Sequence, residues 1–527
     1  MKQGFRQSQA WLHTWSGVVL GWLLFAIFIT GTVSYFQDEI THWMHPERHL
    51  ADARSVDLDA LTAALTERAP NAPSWQIGLP SARDPVITTY WRGEGARRFE
   101  HAVFDPATGR ELVERPSEGG NFFYRFHFQL WHMDVLTARY LIGIATMFMF
   151  VALISGIITH KKIFKDFFTF RPSKGQRSWL DGHNATAVLA LPFHLMITFT
   201  GLVIFLWMYM PWGMVAQYGD DRMAFFAQVF PRLEAPPRAD TPMPVPSLQA
   251  FVDKAQVRWG GEPVESITVH NPGDRNARIE LGTGRDSRVS GDAPHLIYDA
   301  ANGELLEEYG ELRPVAFFSR VLVGLHLGHF ADPLLRWLYF LSGIGGTIMV
   351  ASGLVLWVVK RTAQAGEKPG YGLRLVRVLN VGAVAGLVIA MASFLWANRL
   401  IPGALPNRDE WEIHVFFAAW GAALLHSIFR THRQAWVEQF ALAALLLTAI
   451  PLLDLATGNF HLPTGGRYSD WILTGFQLTS VATGAALFWL SWKIAKHQPR
   501  QRPERAARPQ KLPPQDDEHR LDLEPSP

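Results

Sequence analysis

Residues 12–31 read LHTWSGVVLGWLLFAIFITG, and this stretch has the length and apolar character of a membrane-spanning helix. It has a histidine, His13, near its start and a glycine at its end. Residues 182–201, GHNATAVLALPFHLMITFTG, repeat the arrangement with His183 near the start. In both stretches the histidine precedes the final glycine by 18 residues, which indicates that one unit occurs twice.

A second pair of apolar segments repeats in the same way. His132 precedes Gly156 by 24 residues, and His329 precedes Gly353 by 24 residues. Each segment also has an arginine 17 residues before that glycine, Arg139 in the first and Arg336 in the second. The sequence therefore predicts a duplicated core in which each half has two spans separated by a large loop.

The composition is that of a polytopic membrane protein. Of the 527 residues 48% are apolar and only 18% are charged. About eight apolar segments are long enough to span a bilayer; they lie near 15–36, 138–160, 185–211, 334–358, 376–397, 412–429, 436–453 and 470–492. The first reads as an uncleaved anchor, because its apolar run is longer than that of a signal peptide.

The distribution of Lys and Arg predicts the topology. Basic residues concentrate in 161–182, in 360–377 and after residue 492, and such segments face the cytoplasm. Both termini are then cytoplasmic, and the two large loops, about 38–137 and 212–333, lie outside.

Each outer loop has the pattern of a small α+β module. A helical stretch is followed by short alternating runs and by a turn, Asp-x-x-x-Gly at 105–109 and Asn-Gly at 302–303, that is typical of hairpins. The chain contains no cysteine, so disulfides, thiolate-held iron–sulfur clusters and thioether-linked haem are excluded.

The residues 5–361 resemble the PepSY-associated transmembrane family. The resemblance rests on the Leu-His start of the first span, the glycine-ended spans, the DPxTG-like turns and the stretches ITHKKIFKDFFTFRPSKGQRSWLDGHN and GLHLGHF...LLRWLYFLSG. It predicts a mainly α-helical polytopic membrane protein with two PepSY-like extracytoplasmic modules. The predicted divisions are span 1–37, module 38–137, span 138–160, basic loop 161–184, span 185–211, module 212–333, span 334–359, loop 360–375, four appended spans 376–492 and a disordered tail 493–527.

Some members of this family are di-haem inner-membrane reductases of ferric siderophores. The resemblance therefore implies haem b, expected as two groups, and a ferric siderophore or other iron chelate as substrate. It also implies the bacterial inner membrane as the location. No nucleotide-binding glycine motif follows a predicted strand, so the electron donor is expected to be a separate cytoplasmic reductase or a membrane quinol. No nucleic-acid partner is expected.

Histidine is the usual axial ligand of b-type haem, and ionisable residues inside a span are usually functional. Near the cytoplasmic side the candidate ligands are His13, His183 and His160. Symmetry relates His13 to His183 but does not show that they share an iron; His160, present in one half only, could instead face either of them.

The outer candidates are two pairs of neighbouring histidines. The strict repeat matches His132 with His329, whereas the family pattern favours His127 and His326, and the sequence leaves the choice open. Arg139 and Arg336 could pair with haem propionates or extend to the interface.

His194 lies deep in the third span. At about 100° per residue, eleven residues make almost three turns, so His194 and His183 are expected on one face of the span, about 16 Å apart, with Pro192 as a possible kink. The candidate iron ligands are thus His13, His160, His183, His194, His127 and His326.

The remaining histidines fit less specific roles. His42, His45 and His49 suit an interfacial turn or a surface metal site, and His414 and His426 suit helix packing or a third cofactor.

The favoured function is transmembrane electron transfer, an oxidoreductase activity, towards a ferric chelate between the two modules. The alternatives are a membrane-anchored regulatory or binding protein without redox activity, and a component of a siderophore transporter.

Overall fold

The computed structural model describes residues 4–49, 51, 53–93, 99–160, 171, 174–229, 236–284, 286, 288–310, 312–364, 370–459 and 468–497. The helices of the first half are Phe5–Ser34 (α1), Gln37–Met44 (α2), Leu58–Arg68 (α3), Asn121–Phe128 (α4) and Val135–Thr159 (α5). The helices of the second half are Gln176–Leu189 (α6), Leu191–Ile204 (α7), Leu206–Tyr209 (α8), Trp212–Tyr218 (α9), Arg222–Val229 (α10), Leu248–Arg258 (α11), Pro314–Leu327 (α12) and Pro333–Thr362 (α13). The appended helices are Tyr371–Leu400 (α14), Arg408–Phe429 (α15), His432–Thr448 (α16), Ile450–Ala456 (α17) and Tyr468–Lys496 (α18).

The described part of the chain confirms a polytopic membrane fold. Six of these helices, α1, α5, α13, α14, α15 and α18, are long and apolar enough to cross a bilayer. Two further spans are bent pairs, α6 with α7 at 68° and α16 with α17 at 46°, which gives up to eight spans. In the core, α1 packs on α5 and α13, and α13 packs on α6.

The third span is bent by 68°, close to the position where Pro192 was a possible kink. It breaks at Ala190, between α6 and α7. Pro192 follows the break; a proline ring removes one backbone donor and collides with the preceding turn, so it ends or bends a helix. The bend places His183 and His194 on two helices, but both rings contact α13, His183 at the carbonyl of Met349 and His194 at that of Ser342.

The two outer modules form one continuous sheet. Its strands are Ser74–Gly78 (β1), Ile87–Arg92 (β2), Phe99–Phe104 (β3), Glu111–Leu112 (β4), Val264–His270 (β5), Arg278–Thr283 (β6), His295–Asp299 (β7) and Leu305–Tyr309 (β8). The order is β4-β3-β2-β1-β5-β6-β7-β8, so the modules join where β1 pairs antiparallel with β5, with Trp75 opposite Val269 and Ile77 opposite Ile267. No gap separates the modules along this edge.

One face of the sheet is covered by α3 and α11. Leu61, Leu65 and Phe251 pack there against strand residues such as Trp75 and Ile279, and together they form the core of the outer domain. The predicted hairpin turns are confirmed, since Asp105 and Asp299 each bond across a short turn to the returning strand. Gly109 and Gly303 in these turns have φ of +63° and +71°, a region that glycine adopts without steric cost.

The appended helices are fastened to the core by buried charges. Arg399 Nε lies 2.9 Å from Asp454 Oδ1, and both side chains have 0% exposure. Trp43 of α2 donates from Nε1 to Asp454 Oδ2 at 2.9 Å, and its carbonyl accepts from Arg399. Since α2 follows α1 directly, this network joins the duplicated core to the four appended spans.

Some sequence predictions fall outside the described residues. They are the main part of the basic loop, 161–170 with 172–173, and the tail 498–527.

Candidate functional site

The two histidines that begin the repeated spans face each other. The ring centroids of His13, on α1, and His183, on α6, are 6.2 Å apart, with planes at 71°. His13 Nδ1 donates to the carbonyl of Ala152 at 2.8 Å, and His183 Nδ1 donates to the carbonyl of Met349 at 2.9 Å. We refer to these two residues as the far pair, because they lie at the end of the bundle opposite the sheet.

A second pair lies near the sheet and comes from the short helices before spans two and four. The ring centroids of His127, on α4, and His326, on α12, are 6.0 Å apart, with planes at 34°. His127 Nδ1 donates to the carbonyl of Ile27 at 2.7 Å. We refer to these residues as the sheet-side pair. Of the alternatives that the sequence left open, the structure brings together the earlier histidine of each outer group.

His326 is anchored in the equivalent way. Its Nδ1 lies 3.1 Å from Thr200 Oγ1, and that hydroxyl uses its own proton on the carbonyl of Met196. The threonine oxygen therefore accepts from the imidazole. The backbone of Ile197 also accepts from this ring.

Each of the four rings lies against one of the four glycines that mark the repeat. A Cβ would come within 3.2 Å of His13 at Gly156, 3.2 Å of His183 at Gly353, 2.5 Å of His127 at Gly31 and 3.0 Å of His326 at Gly201. The acceptor carbonyls of Ala152, Met349, Ile27 and Ile197 come four residues before these glycines, on the same helical face. The sequence showed these glycines only as markers of the repeat. It did not show that the histidine rings pack against them.

The anchoring fixes the tautomer of each ring. A carbonyl oxygen only accepts, so Nδ1 must hold the proton and Nε2 keeps its lone pair when the imidazole is neutral. No hydrogen bond to Nε2 of these four histidines is found among the described residues. An imidazole held in this way is prepared as a metal ligand, with the backbone carbonyl fixing its orientation.

The spacing of both pairs fits an iron porphyrin. Two axial imidazoles on one iron have ring centroids about 6 Å apart, since each metal–nitrogen bond is about 2 Å and each centroid lies about 1 Å behind its nitrogen. The observed 6.2 Å and 6.0 Å agree with this separation. Within the described residues no group of three or more His, Cys, Asp or Glu could hold a bare metal ion. A porphyrin supplies four nitrogens itself, so two histidines suffice.

A cavity of about 370 Å³ surrounds the sheet-side pair. Its wall is largely apolar, with Phe28, Phe128 and Phe205 among its residues, and it also includes Arg139. The Arg139 guanidinium donates to Gln129 at 3.1 Å, and its buried Nε has no partner among the described residues. An unsatisfied cationic donor at an apolar cavity suits a carboxylate, such as a porphyrin propionate.

The repeat partner of Arg139 is placed differently. Arg336 is buried and pairs with Glu39 Oε1 at 3.1 Å, and it donates to the carbonyl of Ala331. It is not among the residues that line the cavity. The two arginines that the sequence treated as equivalent therefore have different environments.

His160 and His194 are not part of either facing pair. His160 Nε2 accepts from Asn184 Nδ2 at 3.0 Å, so this nitrogen is already engaged. His194 is fully buried and lies between the levels of the two pairs. Its ring centroid is 6.2 Å from that of Phe28, with the planes perpendicular, and its Nε2 is 3.3 Å from the carbonyl of Ser342.

The later outer histidines also lie elsewhere. His132 stacks on His414 of α15, with centroids 6.3 Å apart and planes at 6°, so it faces the appended helices. His329 lines the cavity wall near the sheet-side pair.

The remaining histidines have structural contacts. His42 and His49 have ring centroids 5.1 Å apart, and His49 Nε2 bonds the carbonyl of His42 at 2.9 Å. His45 Nδ1 bonds the carbonyl of Thr41, and His426 pairs with Glu438 at 2.7 Å. These contacts suit local packing.

The fold and the two histidine pairs define a polytopic membrane protein with a duplicated, imidazole-lined helical core. The chain belongs to the family of PepSY-associated transmembrane proteins, since residues 10–360, about two thirds of the chain, match the family described as "PepSY-associated TM region". An uncharacterized protein of Pseudomonas aeruginosa is 26% identical over 380 residues, which is 68% of this chain and 91% of that relative. The family match ends before α14, so the appended helices lie outside it.

Proposed function

We propose that the protein transfers electrons across a membrane through two haem b groups, one held by the far pair and one by the sheet-side pair. The observation that supports this most directly is the repeated geometry of the four imidazoles. In both pairs the rings come from opposite halves of the duplication, and their centroids are 6.2 Å and 6.0 Å apart. A haem bound between them supplies a one-electron redox centre.

The separation of the two pairs suits such a path. On α1, His13 belongs to the far pair, and Gly31 contacts the ring of His127 of the sheet-side pair. These positions are 18 residues apart, or about 27 Å along a helix, close to the thickness of the hydrocarbon layer of about 30 Å. The two pairs therefore lie near opposite edges of the membrane, and His194 lies between them.

The chain's own groups have defined tasks in this proposal. Backbone carbonyls, and for His326 also the Thr200 hydroxyl, hold the Nδ1 protons, so that every Nε2 keeps a free lone pair. The four glycines keep the rings close to the neighbouring helix. The phenylalanines around the sheet-side pair exclude water, and Arg139 offers a charged donor to a propionate.

The proposed direction is from the cytoplasm outwards, with a separate reductase or a membrane quinol as donor. The acceptor is a ferric siderophore or similar chelate, and each electron reduces one Fe(III) to Fe(II). Because β1 and β5 close the sheet between the modules, the chelate is proposed to bind between the sheet and the sheet-side pair.

The test is the haem content of purified variants. We expect the purified protein to show Soret and α bands and about two haems per chain. His183→Ala should lose the haem of the far pair and His326→Ala that of the sheet-side pair, and each variant should retain the other. His132→Ala is the matched control, since His132 belongs to the outer group but faces His414; it should keep both haems.

Three outcomes would each refute a part of the proposal. If the protein binds no haem after reconstitution, electron transfer is refuted and a membrane-anchored binding or regulatory function is favoured instead. Equal loss in His132→Ala and His326→Ala would show that the ligands are not those of the sheet-side pair. If haem is bound but a ferric chelate added outside reconstituted vesicles does not oxidise it, the chelate is not the acceptor.

A further inference from the structure

A second cavity lies in the appended helices, and neither histidine pair is among the residues that line it. It has a volume of about 490 Å³ and opens between the first turns of α14, the end of α15 and the start of α16. Its lining residues are Arg374, Arg377, Val378, Val381, Ser427, Ile428, Arg430 and His432. Three of the eight are arginines and none is acidic.

The positive charge of this cavity is incompletely neutralised. Arg430 Nε pairs with Glu438 at 2.9 Å, but Glu438 is shared with His426. Arg377 donates from Nη2 to Thr362 at 2.7 Å, and its buried Nε has no partner in the part of the chain that the structure describes, which leaves out 365–369. Among the described residues no carboxylate pairs with Arg374 or Arg377. The cavity therefore presents unsatisfied cationic donors, which suit an anion.

His432 adds a donor of defined orientation. Trp436 donates from its indole nitrogen to His432 Nε2 at 3.3 Å. An Nε2 that accepts must be unprotonated, so the neutral ring has its proton on Nδ1. His432 can then donate from Nδ1 alongside the arginines.

The cavity lies at the level where a bilayer has its headgroups. Arg377 comes 22 residues before Arg399, which contacts Trp43 near the sheet, so it lies about 33 Å away along α14. The same end of the bundle has Lys493 and Lys496 over the ring of Trp492, an arrangement typical of the membrane interface.

One wall of the cavity is apolar, formed by Val378, Val381 and Ile428. A ligand that matches both walls has a phosphate for the arginines and hydrocarbon for these side chains. Basic pockets between spanning helices on the cytoplasmic side bind anionic lipid headgroups in this way. Arginine suits this role because its planar fork binds phosphate through two donors.

We infer that this cavity binds the phosphate headgroup of an anionic phospholipid, with the first methylenes of an acyl chain against Val378, Val381 and Ile428. The site is independent of the proposed electron transfer, since it lies in α14–α16, outside the family match. It gives the appended helices a function of their own, the recognition of one class of lipid.

The test is native mass spectrometry of the purified full chain in detergent, with phosphatidylglycerol or phosphatidylcholine of equal chain length. We expect phosphatidylglycerol to bind in preference. Arg374→Gln should weaken its binding about fivefold, as expected for one arginine near an anionic headgroup. Lys496→Gln, which removes one charge at the same membrane level outside the cavity, is the matched control and should bind as the unchanged chain does.

Val378→Trp serves as a second variant, because it fills the apolar wall and leaves all the charges in place. Binding of phosphatidylglycerol should also be lost in this variant. An unchanged thermal midpoint in the absence of lipid would show that the variants remain folded. Equal binding of the two lipids, or equal loss in Lys496→Gln and Arg374→Gln, would overturn the assignment. Displacement of phosphatidylglycerol by millimolar inorganic phosphate would also overturn it in favour of a free phosphate group.

Discussion

At the scale of single residues, the histidines differ in which ring nitrogen is engaged in a hydrogen bond. His13, His183 and His127 donate from Nδ1 to main-chain carbonyls, and His326 is held by a hydroxyl that can only accept. His160, in contrast, uses Nε2 to accept from Asn184. Among the described residues, Nε2 of the same side chain thus has no hydrogen-bond partner in four places and a local bond in a fifth, and neighbouring atoms rather than residue type make the difference.

The glycine under His127 gives a prediction at this scale. A Cβ at Gly31 would lie 2.5 Å from the His127 ring, so Gly31→Ala should displace that imidazole. We expect the variant to lose the haem of the sheet-side pair and to keep that of the far pair, measured by haem content. Gly17→Ala on the same helix is the control, because among the described residues no atom outside the adjacent helix backbone lies within 4 Å of its new Cβ. Full haem content in Gly31→Ala would contradict the proposed placement.

A carboxylate in the outer sheet predicts a pH dependence. Burial raises the pKa of Glu280, but hydrogen bonds from His270, His295 and Tyr309 outweigh it and hold the pKa well below the ordinary 4.5. A group whose pKa is lowered by folding stabilises the fold above its unfolded pKa, and this contribution is lost as the pH falls below that value.

We therefore expect strands β6–β8 to be better protected in the unchanged chain than in Glu280→Gln near pH 7. The difference should shrink as the pH falls from about 5 to about 3, where the carboxylate becomes protonated in the unfolded state. Amide hydrogen exchange, compared between the two proteins at each pH, measures this. A difference that does not change with pH would show that the charge of Glu280 is not the cause.

At the scale of elements, the appended helices depend on an ion pair inside the protein. Asp454 accepts from Arg399, Trp43 and Gln477, each at 2.9 Å, and so links α14, α2 and α18 through α17. Buried ion pairs contribute little net stability compared with apolar packing, but removing one partner leaves an uncompensated charge. The network therefore fixes which helices pack together.

Asp454→Ala should accordingly destabilise the protein by about 3–5 kcal/mol, because Arg399 would remain buried without its counter-charge. The apparent thermal midpoint in detergent should fall clearly. Glu410→Ala, an exposed carboxylate in the first turn of α15, is the control and should change stability by about 1 kcal/mol or less. Equal shifts in the two variants would show that the buried network does not hold the appended helices.

At the scale of the whole molecule, the sheet and the basic helix ends lie at opposite ends of the bundle. The β1–β5 pairing makes both modules one body above the helices, and α13 and α18 end in lysine or arginine at the other end. Because such basic ends face the cytoplasm, we propose that the sheet lies outside the membrane.

The absence of cysteine allows this orientation to be tested directly. Val257→Cys in α11 and Tyr371→Cys at the start of α14 introduce single thiols at positions that are 83% and 82% exposed. In right-side-out vesicles a membrane-impermeant maleimide should label the Val257→Cys variant directly. It should label the Tyr371→Cys variant only after the vesicles are permeabilised. The cysteine-free chain is the background control. Labelling of Tyr371→Cys in sealed vesicles would show that the topology is opposite to the one proposed.

The sequence by itself determined the class of the fold, its duplication and the modules with their hairpin turns. Long apolar runs, fixed spacings such as 18 residues from His13 to Gly31, and Asn-Gly turns are local signals, and a membrane allows few ways to satisfy them. Only the tertiary structure decided which histidines face each other, because pairs such as His127 and His326 come from different halves and meet through packing. It likewise decided the bend at Ala190 and the joining of the modules through β1 and β5, since both depend on contacts between segments distant in sequence.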